Sequence, residues 1–283
     1  MKPNILSIAF ISLAGLVLSL PAQASYSWGL TATPASSTSG TSPSPYGNTK
    51  TYNGTGTPVA APQLTASAWS DTGASKALQT AYLATYTGGL GVNNQIETTS
   101  VSSPDHAMDN NGNFDSIMFS FNSAISLEKV TIGWPSSSTT VGSINPDSDI
   151  SVLAYVGSGA PTLSGKTYTG TSNSLLSAGW KWIGNYCDLE LTGYANINAG
   201  GQSSSYWLIA AYNDKLGNTT NCTDSTGATK ACGTSTSTLD YVKISGLAGS
   251  VKTPPPQPSG VPEPATLLLF GAGLLGFIRA RST

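Results

Sequence analysis

A period of two is the feature that most limits how this chain folds. Within residues 116–121, Ile117, Phe119 and Phe121 alternate with Ser116, Met118 and Ser120. Successive side chains on a strand point to opposite faces, so this pattern writes one buried face and one wetter face. Residues 126–134 alternate too, with Leu127, Lys129, Thr131 and Gly133 against Glu128, Val130, Ile132 and Trp134. The short break at residues 122–125 predicts that the two stretches pair as a hairpin. Residues 150–156 place Ile150, Val152, Ala154 and Val156 on one face. Residues 205–212 are almost continuously apolar, as a central strand covered on both faces would be.

The rest of the body repeats this theme between turn signals. Tyr26, Trp28 and Leu30 alternate, residues 64–69 read as a strand, and residues 35–62 read as a long Ser/Thr/Gly/Pro loop. Leu78, Tyr82 and Tyr86 fit either helical spacing or one face of a strand. The Thr and Tyr content favours the strand. Gly88, Gly89 and Gly91 mark a turn, and no Lys-Ser/Thr follows to make a phosphate cradle. Residues 157–178 read as a loop and residues 213–238 as a polar insertion. Trp180, Trp182 and Tyr186 mark a strand region over residues 179–191, and residues 239–247 form the last strand. Eight or more strands without a convincing helix predict an all-β fold, a β-sandwich over residues 25–250. A jelly roll similar to galactose-binding or discoidin-type domains is the preferred version.

The two ends have a different character. Lys2, an apolar run over residues 5–20 and the small residues Ala22 and Ala24 around Gln23 are the parts of a Sec signal peptide over residues 1–24. A proline-rich spacer, residues 251–260, precedes Pro262-Glu263-Pro264. An uncharged Leu/Gly-rich run over residues 265–278 follows, and Arg279 and Arg281 close it. The run is shorter than the roughly twenty residues of an ordinary membrane span, but it lacks a wet face and ends in a positive flank. This order closely resembles the PEP-CTERM sorting signal, here residues 261–283. The resemblance implies a transmembrane helix over 265–278 and recognition by exosortase, a membrane cysteine protease that removes the tail near the motif. It also implies a Gram-negative host that makes exopolysaccharide, transient anchoring in the inner membrane, and delivery to the cell surface or extracellular matrix. The body also looks like other PEP-CTERM proteins in its Ser103–Ala107 and Asp109–Asp115 segments, a group that brings no established chemistry.

Composition excludes some functions. The body over residues 25–260 holds thirteen acids and nine lysines, and both arginines lie in the tail. A negative body without arginine is wrong in sign and in chemistry for nucleic acid. Ser, Thr, Gly and Asn dominate, yet six Trp and twelve Tyr in the chain argue against disorder. Hydroxyl-rich exported stretches of this kind also suit O-glycosylation.

Several residues are candidates for chemistry. Asp109, Asn111, Asn113 and Asp115 alternate, so a curled loop would aim four oxygens at one Ca²⁺. The Gly112 spacing and the lack of a twelfth-position Glu exclude an EF-hand. The competing reading is a turn built on Asx side chains and Gly. Asn145, Asp147 and Asp149 are a second, weaker set. His106 beside Asp105 is the chain's one histidine, too few for a multi-His zinc site; adjacency in sequence is not a triad, and a structural hydrogen bond near a strand start is the competing reading. Cys222 and Cys232 flank a short polar loop and are the expected disulfide, leaving Cys187 as a small core residue. Glu97, Glu128 and Glu190 are the body's glutamates, from which a glycoside hydrolase would draw its acids. Trp134, Trp180, Trp182 and Trp207 fall in strands, where core packing competes with stacking on sugar rings. The expectation is a non-enzymatic, structural or adhesive matrix protein that binds glycan. A hydrolase of matrix polysaccharide is the alternative. Expected partners are the Sec translocon, exosortase and an exopolysaccharide.

Overall fold

The computed structural model describes residues 24–40, 44–57, 60–97, 106–135, 147–170, 173–189, 193–217, 221–232 and 239–251. They belong to one compact unit, Gln23–Lys252. Seventeen strands run through it: β1 (Ala24–Gly29), β2 (Ser36–Thr38), β3 (Thr49–Tyr52), β4 (Thr55–Thr57), β5 (Leu64–Ser70) and β6 (Gln79–Thr80). Next come β7 (Tyr82–Tyr86), β8 (Gly89–Asn93), β9 (Met108–Asp109), β10 (Asp115–Pro135) and β11 (Ile150–Tyr155). The last are β12 (Trp180–Cys187), β13 (Tyr194–Asn196), β14 (Ser204–Ala211), β15 (Asn221–Asp224), β16 (Thr229–Ala231) and β17 (Tyr241–Val251). Helical structure among the described residues is limited to short 3₁₀ turns, among them Ala74–Lys76 and Leu176–Ala178. The chain is all-β, and its hydrogen-bonded strands form an open sheet.

The sheet has two sections, and β10 belongs to both. Its first half lies between β5 and β14, with Phe119 opposite Ala66 on one side and Trp207 on the other. Its second half lies against β17 and β13. The expected hairpin at residues 122–125 is therefore corrected: the two alternating stretches are one 21-residue strand. A two-residue hairpin needs positive φ in its turn, and no residue from 122 to 125 adopts it. The pairing with β14 instead slips between Ser120 and Ile125, which redirects the strand without reversing it.

The 35–62 segment also departs from its loop reading, because it contributes β2, β3 and β4. β3 pairs with β5 and β4 pairs with β1, so hydroxyl-rich sequence is used at sheet margins. Thr51 and Thr65 are bonded across the β3–β5 pair at 3.1 Å. The 82–86 ambiguity resolves as strand β7, which pairs with β8 through the glycine turn. Gly89 needs its hydrogen there: its φ is +117°, and a Cβ would stand 2.3 Å from the Ile244 carbonyl oxygen.

One core draws on both sections. Trp28 from β1 meets Phe121 from β10 edge to face, with ring centroids 4.8 Å apart. Ile117, Phe119, Val152, Trp207 and Ile209 join the same cluster. A second cluster covers the outer face of β11 and β14, where Leu153 and Leu208 meet Leu163, Tyr168 and Leu175 from the 156–178 segment. Both faces of β14 are thus covered, which accounts for its unbroken apolar sequence. Phe119→Ala should lower unfolding stability by about 3–5 kcal/mol, because this ring is fully buried between two strands. A reduced urea midpoint with an unchanged slope would record it.

Candidate functional site

A concave part of the described surface follows β12. This strand pairs with β11 along its length but with β15 only at Tyr186 and Cys187. A cleft of about 620 Å³ lies along residues 181–186, between the 196–202 segment and the β15–β16 hairpin. Its polar lining includes Asn185, Asn196, Asn198, Gln202, Asn221 and Thr223, and Trp182 stands in its wall. None of the described lining residues is an acid. Amides supply both donors and acceptors, the complement of a neutral hydroxyl-rich ligand.

Local bonds fix this lining. The Asn198 amide nitrogen donates to the Gln202 carbonyl at 2.8 Å, and Gln202 N–H donates back to Asn198 Oδ1 at 2.8 Å. The Asn198 backbone N–H donates to the Tyr186 hydroxyl, which ties the loop to β12 at 3.0 Å. Trp182 Nε1 donates to Asn185 Oδ1 at 3.2 Å. Across the cleft, Asp224 Oδ1 accepts from the Thr226 hydroxyl and from Thr226 and Ala228 N–H, which shapes the hairpin turn. The Thr226 hydroxyl bond is the leading reason that this carboxyl is held well below its usual range.

The tryptophans separate by role. Trp28, Trp180 and Trp207 are buried. Trp134 is half-buried and caps Lys243, whose Nζ lies 4.1 Å from the Trp134 ring and 4.8 Å from the Tyr86 ring. Burial lowers the Lys243 amine to about 8. Trp182 is the tryptophan in the cleft. Residue order alone does not single it out, because the cleft exists only when residues 196–202 and 221–229 fold beside it.

The acidic residues assemble differently from the expected calcium loop. Asn111 N–H donates to Asp109 Oδ1 at 2.9 Å. Asn113 Nδ2 donates to Asp71 Oδ1 at 3.0 Å, and Lys76 Nζ donates to the Gly112 carbonyl at 2.6 Å. These bonds are those of an Asx turn, the competing reading of this segment. Asp109 and Asp115 do converge, but with Glu97, and their carboxylate oxygens lie within 4.8 Å of one another. Burial, followed by the Glu97 charge, pushes the Asp115 carboxyl well above its usual range. Asp147 and Asp149 meet Asp240 in a second group; Asn145 lies outside the described residues. Asp240 accepts from Asp149 N–H at 3.0 Å and from Asn110 Nδ2 at 2.6 Å. That group is a hydrogen-bonded brace between β17 and the start of β11.

His106 stacks on Tyr86 with centroids 4.4 Å apart; Asp105 lies outside the described residues. Glu128 is exposed and accepts from the Ser250 hydroxyl, and Glu190 lies outside the described residues. All three cysteines are buried together. Cys222 is in bonding contact with both Cys187 and Cys232, with Cα separations of 5.8 and 5.7 Å. One sulfur holds one disulfide partner, so the expected Cys222–Cys232 bond competes with a Cys187–Cys222 bond. Cys187 is not an isolated core residue, because parallel pairing of β12 with β15 brings it to Cys222.

Ala22, Pro262, Glu263, Pro264 and the 265–278 run lie outside the described residues; Ala24 begins β1. Among the described residues no helix is long and apolar enough to cross a membrane. Residues 260–282 match the family model of the PEP-CTERM protein-sorting motif. Neither a curated protein nor a solved structure matches the chain. The motif marks the chain for exosortase-dependent export to the cell surface.

Three mutually adjacent cysteines leave one sulfur over in a monomer. Alkylation of the denatured, unreduced chain should therefore label one thiol per molecule. Peptide mapping should find Cys222 in every intramolecular disulfide. A Cys187–Cys232 link as the main species would contradict this geometry.

Proposed function

We propose that this chain is an exported surface or matrix module that holds a neutral glycan in the cleft beside β12, in a structural or adhesive role. The observation that carries this reading is the amide- and hydroxyl-rich lining of that cleft. Its size suits a few sugar rings, since small-ligand sites span roughly 300–1,000 Å³. Hydroxyls of a neutral sugar pair with amides without the desolvation cost of burying a charge. A hydrolase would need two acids flanking the bond it cuts, and the described lining offers groups that bind instead.

The two sheet sections read as the layers of a β-sandwich of the jelly-roll kind, with the cleft at the margin of one layer. Residues 1–24 read as a Sec signal peptide. The 265–278 run reads as a helix that anchors the chain transiently in the inner membrane. Exosortase then cuts near Pro262-Glu263-Pro264, and the β-domain reaches the exopolysaccharide matrix.

Two measurements test this account. On an array of neutral and acidic polysaccharides, the exported protein should bind neutral glycans without releasing fragments. Asn196 and Asn221 are exposed in the cleft, so Asn196→Ala with Asn221→Ala should weaken binding about tenfold and leave folding intact. Flat array results would favour a purely structural coat, and fragment release would favour the hydrolase. Separately, replacing Pro262, Glu263 and Pro264 by alanine should leave the protein in the membrane fraction; unchanged release would refute the processing step.

A further inference from the structure

We infer that Glu97, Asp109 and Asp115 form a calcium site that fastens three strand ends of the β-domain. The site is distinct from the β12 cleft and does not depend on what that cleft binds. Glu97 follows β8, Asp109 ends β9 and Asp115 begins β10, so three separate elements supply the oxygens. Those oxygens lie within 4.8 Å of one another. Asp109 and Asp115 are 1% and 0% exposed.

Hydrogen bonds hold the carboxylates in place. Asn94 N–H donates to Glu97 Oε2 at 3.0 Å, and Asn94 Nδ2 donates to Oε1 at 2.8 Å. The same Nδ2 reaches Asp115 Oδ1 at 3.4 Å, a long bond. Asp115 Oδ2 is buried and has no hydrogen-bond partner. A second orphan stands beside it. Ser70 faces Asp115 across the β5–β10 pair, and its hydroxyl is also buried without a hydrogen-bond partner. Close approach of that hydroxyl, of Asn94 and of the Asp109 backbone N–H eases the Asp115 charge. Buried polar atoms are nearly always satisfied, so two orphans at one carboxylate cluster point to a missing ligand. A cation bound there would take an oxygen from each.

The donor set selects the ion. Every candidate ligand is a hard oxygen, and no histidine or cysteine belongs to this cluster. Zinc prefers nitrogen and sulfur in a four-coordinate cage. Calcium accepts six to eight oxygens in irregular geometry, with water completing the shell beside half-buried Glu97. Magnesium demands a near-ideal octahedron and dehydrates reluctantly, which a cluster set by three strand ends does not favour.

Thermal unfolding of the purified full-length chain tests this directly. Calcium at 5 mM should raise Tm by about 5 °C over the EDTA-treated protein, as expected for a ligand that binds only the folded state. Titration calorimetry should count one calcium per chain at this site. Magnesium at 5 mM should give less than half that shift. Asp115→Asn should abolish the response to calcium while the protein stays folded. Glu97→Gln should weaken calcium binding at least tenfold, and its half-buried position keeps that readout available if the Asp115 variant fails to fold. No shift and no binding heat at 5 mM calcium would overturn the proposal. So would an undiminished response in the Glu97 and Asp115 variants, or an equal response to magnesium.

Discussion

The architecture depends on the double membership of β10. A strand in one sheet section has two edges, and both are occupied along each half of β10 by different neighbours. To serve both sections it must keep its apolar side chains aimed at one core while its direction changes. Ile117, Phe119, Phe121, Ile125 and Leu127 are all odd-numbered and all buried; Val130 and Ile132 are even-numbered and buried as well. A flat strand cannot do this, because a shift of one residue turns every later side chain to the other face. The register slip against β17 between Leu127 and Lys129 supplies the missing residue. The exposed Glu128 absorbs the change, and the core stays continuous.

That slip marks where the sequence stopped being readable. Alternation located β1, β11 and both halves of β10, and an unbroken apolar run located β14, since a strand records its environment locally. It could not tell a bend from a turn at residues 122–125, because Asn, Ser and Ala suit either. The difference lies in which strands occupy the flanks, and those arrive from residues 64–70 and 204–251. Hydroxyl-rich margins such as β2 and β4 hide for a related reason. Their side chains are exposed, so burial imposes no pattern on them.

The sites follow the same division. A sorting motif is contiguous and is read from order and spacing, which is why the tail was legible. The acid cluster was half legible. Asp109 and Asp115 sit six residues apart, and their alternation with Asn drew attention to them. Asn111 and Asn113 carry both readings, because a turn and a calcium loop use the same residue types, and the contacts with Asp71 and Lys76 are those of the turn. Glu97 joins from another strand end, and Asn110 meets Asp240 across 130 positions. The cysteines show the limit in its simplest form. Nearness in sequence favoured Cys222 with Cys232, while strand pairing makes Cys187 an equal neighbour.

The fate of the acids links composition to the proposed ligand. Asp71, Asp109, Asp115, Asp149, Asp224 and Asp240 are buried, and among the described residues Lys243 is the one buried lysine. The other described residues include five acids and seven lysines, so the described negative charge is mostly interior and the remainder is small. A near-neutral exterior neither attracts nor repels polyanions strongly, and recognition then falls to hydrogen bonds and ring contacts. Most of the interior acids hold turns and strand ends by accepting from Asn amides and backbone N–H groups. Asp71 accepts from Asn113 and Phe114, Asp149 from Asp188, and Asp240 from Asn110. Asp115 departs from that pattern. It is fully buried, stands beside two other carboxylates, and its Oδ2 has no hydrogen-bond partner. In a protein that satisfies its other buried acids with amides, this exception is what a cation would resolve.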